Sequence, residues 1–194
     1  MTTDQHPSRP LSRWPGFAVA AWGLSFAVPS FVRALGGTAG ASSTVAPALV
    51  EAAQRHDPGI IAALWATGVL KVVGALLGLA LARRRPWPQR GESALRFLAW
   101  GAGVLLVWHG LLFIAHGVLV ATGALTIADD LRTVSRWYTF LWGPWFVLGG
   151  VCFLLGARSR RPLAGDPAAA RRAARLGGWG AVALSALILV GGLD

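Results

Sequence analysis

The chain has 194 residues, of which 55% are hydrophobic and 13% charged, with a formal net charge of +10. Soluble domains carry about a quarter charged residues, so this composition excludes an ordinary soluble globule. Thirteen of the eighteen basic residues fall in three segments that alternate with apolar runs, which assigns the charge to membrane topology and excludes nucleic acid as the partner.

Residues 1–13 read as a cytoplasmic tail carrying Arg9 and Arg13, followed by the first apolar run, Trp14–Leu35. A basic lead-in and the later Ala39-Gly40-Ala41 imitate a secretory signal. However, about 20 apolar residues exceed an h-region and Arg33 intervenes, so an uncleaved span is expected. Pro29 breaks this helix in its outer half and frees the carbonyl of Ser25. In the next loop Ala46–His56 has the pattern of a short amphipathic helix. Asp57-Pro58 then offers an N-cap and a first-turn proline for the second span.

That span, Gly59–Ala82, is roughly 36 Å long at the helical rise, enough to cross a bilayer core of about 30 Å. Its centre holds Lys71, the only lysine in a chain with seventeen arginines. Lys71 lies roughly 16–18 Å from either end, too deep to snorkel to an interface. An ionisable group at that depth is a candidate functional site, and a lysine, unlike an arginine, can lose its proton when buried. Thr67, Lys71, Gly74 and Gly78 share one face, and Gly74-xxx-Gly78 is a small-residue packing motif. The amine is therefore expected to face the third or fourth span and not lipid. A structural lysine held by carbonyls or a tryptophan face fits the same pattern.

The third run, Phe97–Ala121, carries His109 at mid-depth, level with Lys71, and His116 seven residues later on nearly the same face. A proton relay or ion site between neighbouring helices would use this arrangement, as would two histidines hydrogen-bonding across helix contacts. Haem would need ligands from a second helix, and no other span holds a histidine, so no cofactor is expected. With a single cysteine, Cys152, neither an internal disulfide nor a cysteine-rich metal site can form.

Asp129-Asp130 precedes the fourth run, Trp137–Gly156, as a cation site or as partners of Arg132 and Arg136. Pro144 frees the carbonyl of Phe140 at the depth of Pro29 and His116, so the three would line a vestibule or serve only packing. Trp14, Trp100, Trp137 and Trp179 fall at interfaces, as amphipathic rings should. Trp22, Trp108, Trp142 and Trp145 lie deeper, where each indole N–H needs a partner. Lys71, His109, His116, Trp108 and Trp145 form the candidate intramembrane polar site; no catalytic residue or metal ligand is assigned. Residues 158–176 read as a basic cytoplasmic loop on the anionic inner leaflet, and 177–194 as a fifth helix whose apolar part, Gly177–Leu193, is at the short limit for a span.

Thirteen basic residues on one side face Arg33, Arg55, Arg132 and Arg136 on the other. The expected architecture is an all-α polytopic bundle of five transmembrane helices, N-terminus cytoplasmic and C-terminus outside. Residues 14–157 form its four-helix core. The arginine bias points to a GC-rich bacterium and hence a bacterial cytoplasmic membrane. The chain lacks a phosphate loop, H-E-x-x-H and G-x-S-x-G, and no carboxylate lies in any of the five runs. Three classes remain. One is a non-enzymatic structural or accessory membrane protein, with the bilayer and other membrane proteins on its Gly-rich faces as partners. The others are a small carrier using Lys71 and His109, and an intramembrane enzyme acting on a lipid or isoprenoid.

Two stretches are distinctive: Phe26-Ala-Val-Pro-Ser-Phe-Val-Arg-Ala-Leu-Gly-Gly-Thr-Ala-Gly40 and Arg136-Trp-Tyr-Thr-Phe-Leu-Trp-Gly-Pro-Trp-Phe-Val-Leu-Gly-Gly150. They resemble the bacterial membrane family called domain of unknown function 3995, over about residues 14–157. The resemblance implies a four-helix membrane unit with an added fifth helix, and it implies no activity. Where members commonly carry a histidine and an aromatic pair, this chain has Ser30, Val32 and Arg33.

Overall fold

The computed structural model describes residues 13–41, 47–83, 87–160 and 167–191, with only the backbone for Pro47, Pro167 and 186–191. The described elements are all helical. They are α1 (Trp14–Ala34), α2 (Pro47–Gln54), α3 (Pro58–Ala82), α4 (Gln89–Ala121), α5 (Arg132–Trp137), α6 (Gly143–Ser159) and α7 (Pro167–Gly191). A short 3₁₀ turn, Asp129–Leu131, precedes α5, and a π-helical turn, Tyr138–Trp142, joins α5 to α6.

Local chemistry sets most helix ends. α1 stops at Leu35-Gly36-Gly37, where Gly36 takes φ +91° and Gly37 N–H donates to the Val32 carbonyl at 2.8 Å. This is the left-handed C-terminal turn that a side chain would strain. The expected short amphipathic helix is α2. Asp57 caps α3, its carboxylate accepting from the amides of Gly59 (3.0 Å) and Ile60 (3.1 Å). Asp57→Ala is expected to cost about 1 kcal/mol, read as a lower unfolding midpoint in detergent.

Three boundaries differ from the sequence expectation. α4 begins at Gln89, not Phe97, because Glu92 and Arg96 are held in buried ion pairs and need not remain in a solvated loop. The fourth span lies within a helical segment that starts at Asp129. Pro144 cannot donate to the Phe140 carbonyl, and the wide turn at Tyr138–Trp142 absorbs that defect without ending the helix. Finally, α7 starts at Pro167, inside the expected basic loop, since the Ala-rich stretch that follows favours helix. Asp129 pairs with Arg132 at 2.8 Å, exposed to solvent.

Small residues decide which helices meet. Gly16 and Gly23 of α1 lie against Gly78, Ala75 and Ala82 of α3; a Cβ on Gly16 would stand 2.6 Å from Ala82 N and 2.7 Å from Gly78 O. Gly103 and Gly110 of α4 meet Gly150 and Gly143 of α6, Gly149 lies under the Trp22 ring, and Gly177 of α7 sits on Phe97 and Gly101. Packing therefore runs α3–α1–α6–α4–α7. The second and third spans, α3 and α4, were expected to be neighbours but touch only sparsely. Gly78 seats α1, whereas Gly74 meets nothing closer than Phe153, at 3.8 Å. The Gly74-xxx-Gly78 motif is thus divided between an interface and a gap.

The end of the bundle bearing most arginines is locked by Arg160. Its guanidinium grips Glu92 through Nε (3.0 Å) and Nη2 (2.9 Å), while Nη1 donates to the carbonyls of Ala80 (2.8 Å), Leu81 (3.3 Å) and Arg83 (3.0 Å). Arg96 donates to the Arg160 carbonyl at 3.0 Å, and Arg13 to the Ala82 carbonyl at 2.9 Å. The last carbonyls of α3, which lack helical partners, are thereby satisfied. Arg96 and Arg160 are consequently structural as well as topological charges.

Four helical segments are long and apolar enough to cross a membrane: Trp14–Ala34, Pro58–Ala82, Gln89–Ala121 and Asp129–Ser159. Their burial is inverted relative to a soluble protein. Trp65, Leu70, Leu76 and Leu79 of α3 are exposed, whereas the buried set is dominated by residues such as Ala27, Ala75, Ala99 and Ala157. Small residues inside and large apolar ones outside suit lipid as the surrounding solvent.

Candidate functional site

Because α3 leans on α1 and α4 on α6, a cavity of about 930 Å³ remains between α3 on one side and α4 with α7 on the other. That volume lies at the upper end of the roughly 300–1,000 Å³ typical of ligand pockets. α2 closes one end through Leu49, Val50 and Ala53, and Phe97, Leu98 and Gly177 line the other. Leu70, Val73, Leu98 and Leu184 line it and are exposed, and α3 touches α4 only sparsely, which leaves a gap between these helices along the cavity.

An aromatic network forms its back wall. Phe26 stacks on Trp142 at 5.5 Å and meets Phe146 edge-on at 5.2 Å. Phe113 touches Tyr138 at 4.5 Å and Phe146 at 5.7 Å. Such edge and offset contacts favour particular ring orientations.

Lys71 projects onto this wall. Its Nζ donates to Ser30 Oγ at 2.7 Å and sits 4.0 Å above the Phe26 ring, a cation–π distance. The partner helix is α1, not the third or fourth span, because Gly23 against Ala75 and Gly16 against Gly78 bring α1 onto the lysine-bearing face. Arg33 lies one turn beyond Ser30. Its Nη2 donates to the Gly40 carbonyl at 3.2 Å, and its Nε is buried without a hydrogen-bond partner among the described residues. No acidic side chain lines the cavity among the described residues.

Of the five residues expected to form the polar site, Lys71 and His109 line this one cavity. They do not pair: His109 instead meets the edges of Phe113 at 4.5 Å and Phe146 at 5.7 Å. His116 and Trp108 are exposed on α4 and do not line the cavity. Trp145 packs against the core, and its carbonyl accepts the Trp22 indole N–H at 2.9 Å. No group of three metal-ligating side chains occurs among the described residues.

Phe26, Ser30, Arg33 and Tyr138 were not singled out as site residues. A signal was present for the first three, whose spacing of four and three residues puts them on one face of α1. Only contact with Lys71 makes that face informative.

The family model described as protein of unknown function (DUF3995) matches residues 23–153. No curated protein and no solved structure matches the chain.

Proposed function

The chain thus belongs to the DUF3995 family of proteins of unknown function, and we propose that it is a non-enzymatic, lipid-binding accessory protein of a bacterial cytoplasmic membrane. In this reading it has five spans, N-terminus inside, and holds a lipid-like amphiphile in its lateral cavity without transforming it. The observation that carries this is the cavity itself. It is large, walled mainly by apolar side chains, and lies in the gap where α3 and α4 barely touch. A hydrated solute would be poorly served by such a wall, whereas an acyl or isoprenoid chain would replace lipid against it at little cost.

Orientation follows from the arginines at the Arg160 end and the positive-inside rule. Reporter fusions after Arg83 and Arg158 should be active as cytoplasmic markers, and one after Gly191 as an external marker. A cytoplasmic C-terminus would reduce the spans to four.

The cavity reading is tested by filling it. A Cβ on Gly74 would meet only Phe153 Cζ, at 3.8 Å, so Gly74→Phe should occupy the space without pressing on backbone. Protein purified in mild detergent should retain a lipid-like molecule detectable by mass spectrometry of its organic extract, and Gly74→Phe should lose it while remaining helical and monodisperse. Equal retention by both proteins would count against the cavity as the binding place.

A further inference from the structure

We infer that the amphiphile carries an anionic head, held between Lys71 and Arg33, with its chain running toward Phe97 and Gly177. This inference rests on the lateral-cavity reading and adds the chemical class of the ligand and its direction. Polarity along the cavity is uneven. Arg33, Thr38, Gln54, Thr67 and Lys71 line the part nearer α2, whereas Leu77, Phe97, Leu98, Phe153, Gly177 and Leu184 line the opposite part. A ligand with one polar end and one apolar end matches that gradient in a single orientation.

The sign of the head follows from the charges. Two cationic side chains share an apolar cavity lined by no acid among the described residues, and Arg33 lies one turn beyond the Ser30 hydroxyl that Lys71 reaches. Like charges in a poorly screened site are mutually destabilising, and a buried charge without a counter-ion is costly. Arg33 is partly compensated, since it lies in the last turn of α1, where a cation favours the helix dipole. Lys71 has no such relief.

Donors are also left over. An ammonium has three N–H groups and no acceptor; Ser30 takes one, and the Phe26 face offers only a cation–π contact to the charge. Arg33 Nε–H is buried and unpaired among the described residues. Ser30, having accepted from Lys71, still has its own O–H to give. A phosphate or carboxylate oxygen between them would accept all three kinds of donor at once and cancel the repulsion. A free anion would satisfy the charges but leave the long apolar part of the cavity unfilled, so the anion is expected on a chain.

Native mass spectrometry of the detergent-solubilised full chain can separate these points. The probes are matched-chain phosphatidylglycerol (anionic), phosphatidylcholine (zwitterionic) and diacylglycerol (uncharged). Wild type should retain phosphatidylglycerol about tenfold better than the other two, the effect of one charge-assisted hydrogen bond. Lys71→Met and Arg33→Gln should each abolish the preference while phosphatidylcholine and diacylglycerol still bind, and Lys71→Arg should keep it. Millimolar inorganic phosphate should not displace phosphatidylglycerol. Equal retention of the three lipids by wild type would overturn the anionic head and leave the cavity reading standing. Retention of none would overturn both. Displacement by inorganic phosphate alone would make the site one for a free anion and overturn the amphiphile.

Discussion

Glu92→Ala is expected to destabilise the bundle by about 3–5 kcal/mol, the cost of leaving one partner of a buried ion pair behind. Glu92 and Arg160 side chains are each only 8% exposed and meet through two short hydrogen bonds. Without the carboxylate, Arg160 and Arg96 face each other with no counter-charge. Arg160 would then turn toward solvent, releasing the carbonyls of Ala80, Leu81 and Arg83 that it now satisfies. The expected readout is a large fall in the unfolding midpoint of the detergent-solubilised protein. Glu92→Gln should fall between, because the amide oxygen still accepts but the charge is gone. Arg160→Met combined with Glu92→Ala should recover only part of the loss, since the α3 carbonyls remain unpaired. A change below about 1 kcal/mol for Glu92→Ala would mean the pair behaves as a solvated surface bridge.

The origin of that lock shows why the sequence revealed only part of it. Glu92 and Arg96 are four residues apart on one helix, a spacing readable directly from the chain. Arg160 lies 68 residues from Glu92 and reads there as one more member of a basic loop. The positive-inside rule counts such arginines without separating a headgroup contact from a buried staple. Hence the basic stretches of the chain were legible, while the start of α4 was not.

The candidate site divides in the same way. Lys71 stood out as the only lysine, placed at mid-helix among apolar residues, and the structure puts it on a cavity wall. Its neighbours did not stand out. α3 and α4 are apolar nearly all round, so neither has a polar stripe to show which face turns inward. Glycines occur in every long apolar helix, and only their contacts tell that Gly78 seats α1 while Gly74 borders open space. Trp108 is next to His109 in the chain, and His116 lies on nearly the same face two turns further along α4, yet only His109 of the three lines the cavity. Depth is legible in a chain of this kind; azimuth is set by which glycines meet.

That last point can be tested with one substitution at two glycines. In a helix interior, alanine is favoured over glycine by about 0.5–1 kcal/mol, so propensity alone would make Gly→Ala stabilising anywhere along α3 or α7. At Gly180 a Cβ meets nothing within 4 Å, and Gly180→Ala should gain most of that amount. At Gly78 the Cβ would stand 2.7 Å from Ala20 N, 2.7 Å from Val19 Cγ1 and 2.8 Å from Gly16 O. Two of these neighbours are backbone atoms of α1, and relief requires moving the whole helix. Overpacking of this kind costs about 1–3 kcal/mol or more, which outweighs the propensity gain, and Gly78→Leu should prevent a stable fold. Displacing α1 would also withdraw Ser30 and Phe26 from Lys71, so Gly78→Ala should lose headgroup selectivity along with stability, whereas Gly180→Ala should keep both the pairing and the fold. Unfolding midpoints of the two alanine variants should therefore move in opposite directions. If Gly78→Ala is as stable as Gly180→Ala, α1 and α3 do not meet through these small residues, and the placement of Ser30 beside Lys71 fails with them.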